Sequence, residues 1–236
     1  TFRSTLRDKA AQTVSLAMSN DSTKSAGPSK ARPFISGIIL AAGRSDRMKE
    51  KGPKQLLRVG GQTLLEHVIR AAAESQLDEL IVVLGHRAAR VLESLQIEVK
   101  TPLRISLTPD FDAGQSRALR TGLAAADSRA EAAAILLGDQ PDLPAATIDQ
   151  ATEVWLQQRP PLLRPQYASP SGKKQPGHPV VICRKIWPIM ESLHGDEGAR
   201  EVIRTHPEWL ETLSLPGPPP VDIDRVEDWK SWVDSR

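Results

Sequence analysis

A single cysteine, Cys183, among 236 residues leaves no partner for an internal disulfide and no Cys-rich zinc or iron–sulfur set. Long apolar runs are missing as well. The longest, such as Ala132–Leu137, stop far short of the roughly 18 residues that a membrane helix needs. Aromatic residues are scarce at 4%, and 31 Lys+Arg against 29 Asp+Glu leave a net charge of only +2, so neither the charge nor the stacking surface of a nucleic-acid binder is present. Gly and Pro, 15 and 19 residues, are too few for a collagen-like or low-complexity chain. What is there is ordinary: 39% apolar residues and a length that suits one or two domains with a proper core. These absences predict a soluble protein of a reducing compartment, the cytoplasm, without membrane or nucleic-acid partners.

Residues 1–33 read differently from the rest, with ten Ser or Thr, six Lys or Arg and two acids. A stretch so poor in apolar side chains cannot offset its own ordering entropy, which predicts a disordered N-terminal extension. Residues 3–18 have the pattern of a weak helix, and the scarcity of acids resembles a transit peptide. The plainer reading is an over-extended start, with Met18 opening the same domain.

From Phe34 onward short apolar runs alternate with helical stripes. Strands are predicted at Ile35–Leu40, Leu80–Leu84, Leu103–Leu107 and Ala132–Leu137. Between them, Thr63 and Glu66 have capping-box spacing ahead of the stripe Leu64, Leu65, Val68, Ile69 and Ala72. Further helices are expected through Leu95, over Ser116–Ala126 and over about 146–158. This alternation predicts an α/β fold, a mostly parallel sheet with helices on both faces. After Arg159 prolines break the rhythm into a loop-rich stretch around a strand at Val180–Cys183, short helices at 185–193 and 196–205, an extended Val221–Ile223 and a last helix over 225–235. A single domain over 34–236 is expected.

In open parallel sheets ligands bind at the carboxyl ends of the strands, and informative segments fall there. Leu40-Ala41-Ala42-Gly43-Arg44-Ser45-Asp46-Arg47-Met48 follows the first strand, with Lys54 further on. Small residues let a backbone approach a ligand closely, turn N–H groups make an anion nest, and Arg47 and Lys54 supply cations suited to a triphosphate. The pattern is neither a Walker A loop nor the GxGxxG of dinucleotide sites, which disfavours an NAD(P) oxidoreductase. Taken alone it is equally a tight turn with solvated charges. Gly138-Asp139-Gln140-Pro141 sets an acid at the end of a buried strand, where it is costly unless paired, capping a turn, or bound to Mg²⁺. In Val221-Asp222-Ile223-Asp224, alternation turns both acids to one side, either toward a metal shared with Asp139 or toward solvent. His178 lacks a His or Cys partner at metal spacing, which excludes zinc and leaves a backbone-bonding turn residue or a ligand-side group. Cys183 and the dispersed tryptophans read as packing residues, and Lys49 and Lys51 as solvated.

Together these segments resemble the MobA-like NTP transferase family, Rossmann-like enzymes that activate a phosphorylated acceptor with CTP or GTP. The resemblance runs from about Ile38 to Trp229 and is carried first by Leu40–Gly43 with Ser45, Arg47, Met48 and Lys54. Its molybdenum cofactor cytidylyltransferase branch is matched by Gly114-Gln115-Ser116, Gly138-Asp139-Gln140-Pro141, Gly177-His178-Pro179, Asp222-Ile223-Asp224 and the acceptor-side loop Gly195–Arg200. Ala42 resembles the CTP users, since the guanylyltransferases typically have glycine there. The step from Met48 to Lys54 is longer than in that branch. Together with Pro53-Lys54-Gln55-Leu56 it looks more like the cytidylyltransferase acting on methylerythritol phosphate, which lacks the Gly-His-Pro and has a different segment where this chain has Gly-Asp-Gln-Pro.

The resemblance implies transfer of CMP to a phosphorylated acceptor such as molybdopterin, with Mg²⁺ held by Asp139 and Asp224 and a recipient molybdoenzyme downstream. Lys54, Arg47 and Asp139 would be catalytic. Leu40, Ala41, Ala42, Gly43, Leu84, Gly85, Gly114, Gln115 and Ser116 would line the nucleotide, within a part spanning about 34–145. Gln140, Pro141, Gly177, His178, Asp196 and Arg200 would face the acceptor, the last four within a part spanning about 146–236. A non-catalytic nucleotide-binding maturation factor is the alternative from another class.

Overall fold

The computed structural model describes residues 32–108, 114–168, 172–195 and 198–235. Of the extension 1–33 expected to be disordered, residues 1–31 fall outside them, as does Asp196 with its expected acceptor role, whereas Arg32 is fixed by hydrogen bonds to Asp78 and the Gln76 carbonyl. In chain order the strands are β1 (Phe34–Ala41), β2 (Arg58–Val59), β3 (Gln62–Thr63), β4 (Glu79–Leu84), β5 (Leu103–Leu107), β6 (Ala130–Leu137), β7 (Leu162–Ala168), β8 (Lys174–Pro176), β9 (Val180–Cys183) and β10 (Leu210–Pro216). The helices are α1 (Leu64–Glu74), α2 (Ala88–Ser94), α3 (Gln115–Ala125), α4 (Ala145–Gln158), α5 (Trp187–Glu191), α6 (Ala199–Thr205) and α7 (Val226–Asp234).

One sheet has the order β10-β7-β9-β6-β1-β4-β5, with β8 beside β7; β2 and β3 form a separate ribbon. β1, β4, β5 and β6 run parallel, β9 runs against both β6 and β7, and β10 is parallel to β7. β1 lies at the centre because both of its faces are apolar: Ile35 and Ile39 pack on one side, Ile38 on the other, all fully buried. Each such side chain contributes about 1.5–3 kcal/mol relative to exposure. One face is covered by α1, α2 and α4, through Leu65, Val91 and Trp155, and the other by α3, α5 and α6, through Leu119, Met190 and Val202. The fold is therefore the α/β class expected. A third cluster, Met48, Leu57, Leu64, Ile223 and Trp232, fastens α7 to the turn after β1.

The chain moves outward from β1 through β4 to β5, then crosses back to lay β6 on the other side of β1. The crevice between the carboxyl ends of β1 and β6 is thus a topological switch point, the usual ligand position of such sheets. α3 comes very close to the sheet there: a Cβ built on Gly122 would lie 2.4 Å from Ile38 Cγ2. Because β9 is antiparallel to β6, with Val180 opposite Ile135, the turn that precedes it reaches the same rim.

Three strands of the main sheet depart from expectation: β7 and β8 occupy the stretch predicted to be loop-rich, and β10 a stretch for which no element was expected. Pro165 interrupts β7, but it lies between the ladder to β9, which uses Leu162 and Leu163, and the ladder to β8, which begins at Gln166. A residue without an N–H is tolerated at such a break. β10 is an edge strand whose polar residues face solvent, which weakens its pattern. Val221–Ile223, expected as a short strand, joins no ladder.

Candidate active site

The loop after β1 is shaped around Ser45, which sits in the left-handed region at φ 61°. Its hydroxyl oxygen accepts the Lys54 backbone N–H at 3.2 Å. Gln55, almost fully buried, donates from Nε2 to the Ala41 carbonyl at 3.1 Å. The residues that lengthen the step to Lys54 are absorbed by a 3₁₀ turn at Asp46–Lys51 and by Gly52 at φ 79°. Lys54 therefore returns to the tip of β1 despite the longer loop.

Opposite it, Gly138 donates its N–H to the Leu40 carbonyl at 2.9 Å. A Cβ on Gly138 would lie 2.8 Å from the Cβ of Ala41, so the close approach of the two strand tips depends on glycine. Asp139 follows, and its carbonyl accepts the Ile223 N–H at 2.9 Å, which draws the distant Asp222–Asp224 segment alongside. Lys54 Nζ donates to Asp139 Oδ2 and to Asp224 Oδ1, at 2.6 Å each, and Arg47 reaches Asp224 Oδ2 at 3.1 Å. Burial pulls the Lys54 pKa down, but the charges and hydrogen bonds of Asp139 and Asp224 outweigh it and leave it above the ordinary lysine value. For Asp224 burial acts upward, and the Lys54 hydrogen bond with the Lys54 and Arg47 charges brings the net shift down. Asp222, bonded to Gln140 Nε2 at 2.7 Å, is pushed up by burial and then by the charge of Asp139.

The donor set suits a small hard cation. Asp139 Oδ1 is buried and has no hydrogen-bond partner among the described residues, and Asp224 shares an ammonium with the same carboxylate. Among the described residues no group of three or more His, Cys, Asp or Glu forms a ready cage. Mg²⁺ commonly takes only one or two carboxylates and completes its shell with water and substrate phosphates.

The crevice has a volume of about 470 Å³ and is lined by Leu40–Arg44, Asp46, Lys54, Gln55, Gly114, Gln115, Ala118 and Leu137–Asp139. Other expected residues lie elsewhere. Leu84 is fully buried in the core, and neither it nor Gly85 lines the crevice. Ser116 is fully buried too; its N–H and hydroxyl donate to the Gly195 carbonyl at 3.1 and 2.8 Å, tying α3 to the loop before α6. Gln140 and Pro141 are buried, Gln140 holds Asp222, and neither lines the crevice or the adjoining cleft. Gly177, His178 and Arg200 line an adjoining cleft. Gln55 and Ile223 were not expected to matter: their contributions are hydrogen bonds to Ala41 and Asp139, which only the folded chain brings within reach.

A crevice of this kind at a β1/β6 switch point, with an ammonium between a strand-tip carboxylate and a second one from an extended segment, defines a nucleotide-handling α/β protein. Residues 37–210 match the MobA-like NTP transferase domain, and the chain belongs to that family. It is 33% identical over 187 residues to nicotine blue oxidoreductase of Paenarthrobacter nicotinovorans, covering 77% of this chain and 86% of that protein. The bifunctional protein GlmU of Alkaliphilus oremlandii is 53% identical over 70 residues, but this match covers only 30% of this chain and 15% of GlmU. Among solved structures, Rv0371c of Mycobacterium tuberculosis superimposes with a TM-score of 0.74 at 27% identity, covering 86% of this chain and 99% of that one. The same protein is also known as a manganese complex, with a TM-score of 0.70 at 28% identity and coverage of 86% and 100%. No helix among the described residues is long and apolar enough to cross a membrane.

Proposed function

We propose that this protein is a Mg²⁺-dependent cytidylyltransferase that moves CMP from CTP to a phosphorylated acceptor, molybdopterin first among them, and passes the product to a recipient molybdoenzyme. The observation that carries the reading is the Lys54 ammonium held between Asp139 and Asp224 at the rim of the crevice. A phosphate oxygen of the acceptor attacks the α-phosphorus in line, the bond to the β-phosphate oxygen breaks, and pyrophosphate leaves. The nucleophile is already anionic at neutral pH, so positioning and charge neutralisation supply most of the catalysis.

In this reading the N–H groups of Ala41–Gly43 cradle the triphosphate at the tip of β1. Lys54 turns from the carboxylates toward the α-phosphate, where negative charge accumulates, and Arg47 toward the leaving pyrophosphate. Asp139 and Asp224 hold Mg²⁺, which neutralises phosphate oxygens. The manganese complex of the Mycobacterium tuberculosis relative supports a divalent cation here. CTP is favoured by Ala42, and a molybdopterin-type acceptor by Gly177-His178-Pro179. A methylerythritol phosphate or another sugar or polyol phosphate is the next choice of acceptor, on the length of the step to Lys54.

The name of the Paenarthrobacter relative supports a second reading, hydride transfer with a nicotinamide dinucleotide in the same crevice. Hydride transfer has no use for two carboxylates closed around one ammonium, and neither has a binding-only maturation factor, so nucleotidyl transfer is preferred.

Purified protein with Mg²⁺, each of CTP, GTP, ATP and UTP, and either molybdopterin or methylerythritol phosphate is expected to release pyrophosphate fastest with CTP and molybdopterin. Asp139→Asn should lose about 10³-fold or more in rate. Turnover of methylerythritol phosphate alone overturns the acceptor; NADPH oxidation with no pyrophosphate from any pair overturns the transferase.

A further inference from the structure

Beside the nucleotide crevice, and sharing Leu40, Gln115 and Leu137 with it, lies a second cleft of about 300 Å³. Alternation along β7 puts Arg164 on the same face as Leu162, the face covered by α3, α5 and α6, and Arg200 on α6 lines the same cleft. Among the described residues Arg164 and Arg200 make no hydrogen bond or ion pair, and none of the residues lining the cleft is acidic. Burial, and then the positive charge of Arg200, holds the Arg164 pKa below the usual arginine value. Two guanidiniums of like charge thus face one space with nothing among the described residues to neutralise them, next to an apolar wall of Leu119, Ile135 and Val180. Half-buried guanidinium is expensive to leave without an acceptor, and paired guanidiniums match the oxygens of a dianion.

We propose that Arg164 and Arg200 form an anion subsite that binds the phosphomonoester group of the acceptor and orients it toward the nucleotide crevice. Arg164 was not singled out by the sequence, since one arginine in a proline-rich stretch carries no pattern. The role assigned to the subsite rests on the transferase reading, while its affinity for phosphate does not. The apolar wall beside it takes the uncharged body of the acceptor, which selects for a phosphate ester over free phosphate.

The test is calorimetric titration of the full chain with inorganic phosphate, phenyl phosphate and succinate, and separately with CTP and Mg²⁺, for wild type, Arg164→Gln and Arg200→Gln. Phenyl phosphate should bind more tightly than inorganic phosphate, and each variant should weaken both by about 10- to 100-fold while leaving CTP affinity within about twofold. Phosphate affinity equal in wild type and both variants overturns the subsite. So does succinate binding as tightly as phenyl phosphate, which makes it a carboxylate site, or a parallel loss of CTP affinity, which makes the arginines part of the nucleotide crevice. If these shifts occur but no acceptor releases pyrophosphate, the subsite stands and the transferase reading falls.

Discussion

The backbone N–H of Ile223 donates to the carbonyl oxygen of Asp139 at 2.9 Å. This hydrogen bond joins the end of β6 to a segment that belongs to no sheet, and it sets Asp224 beside Asp139 so that one ammonium serves both carboxylates. Ile223 is fully buried against Met48, Leu64 and Trp232, so the apolar anchor and the acidic neighbours on either side of it come from alternate positions of one extended stretch.

Replacement of Lys54 by methionine keeps the unbranched chain up to the ε position and removes the charge that holds the two acids together. Two carboxylates left with only Arg47 as counter-ion should attract a divalent cation more strongly, by about tenfold, in protein free of nucleotide. The same variant should lose about 10²- to 10³-fold in kcat with a smaller change in KM, because charge at the α-phosphate matters most in the transition state. Mn²⁺ titration followed by electron paramagnetic resonance reads the first effect and steady-state kinetics the second. Unchanged Mn²⁺ affinity would show that Lys54 and the metal do not compete.

Gly138→Ala and Gly43→Ala should behave in opposite ways. A methyl group on Gly138 meets Ala41 Cβ at 2.8 Å and Leu40 O at 3.1 Å, so the tips of β1 and β6 must separate. Overpacking of this kind costs about 1–3 kcal/mol, or roughly 2–12 °C in Tm for a chain of this size. At Gly43 an added Cβ has nothing within 4 Å, so stability should hold while KM for the nucleotide rises as the methyl intrudes on the triphosphate. Thermal melts and nucleotide kinetics on the pair separate packing from binding.

His178 is enclosed by protein although part of it faces the second cleft, and burial, then the charge of Arg164, lowers its pKa to about 4. Between about 4 and the unfolded value near 6.5 the unfolded chain binds a proton that the folded chain does not, so stability falls as pH drops through that window. Relative to His178→Gln, wild type should lose up to about 3 kcal/mol between pH 7 and pH 4. Denaturant midpoints at several pH values check the sign. Above about pH 5 the imidazole is neutral and should add no inflection to the rate profile.

Much of the core was readable because burial on both faces leaves a continuous apolar run, which β1, β4, β6 and β9 carry; β5, at the sheet edge, alternates apolar with polar residues. The capping box was readable from spacing alone, and Thr63 and Glu66 exchange both of its hydrogen bonds, at 2.6 and 3.2 Å. β7 was hidden by Pro165 and β10 by the polar residues of an edge. In the site, Lys54 stood out as a cation in the loop after β1, Asp139 as an acid at the end of a buried run, and Asp224 by its alternation with Asp222. The positions of Ser116, Gln140 and Pro141 did not, because whether a motif residue faces a ligand or braces a loop depends on contacts far away in sequence. Arg164 was silent for the same reason: its place beside Arg200 in one cleft exists only after β7, β9 and α6 have come together.

The reversed direction of β9 separates two tasks along one rim. The strand tips proposed here to grip a nucleotide belong to β1 and β6, whereas the arm from β7 through β8 into β9 is joined to them in the sheet only through the β6–β9 ladder. A lineage built on this scaffold can therefore exchange one small molecule for another by editing a single peripheral arm, keeping its energy source while it diversifies its chemistry.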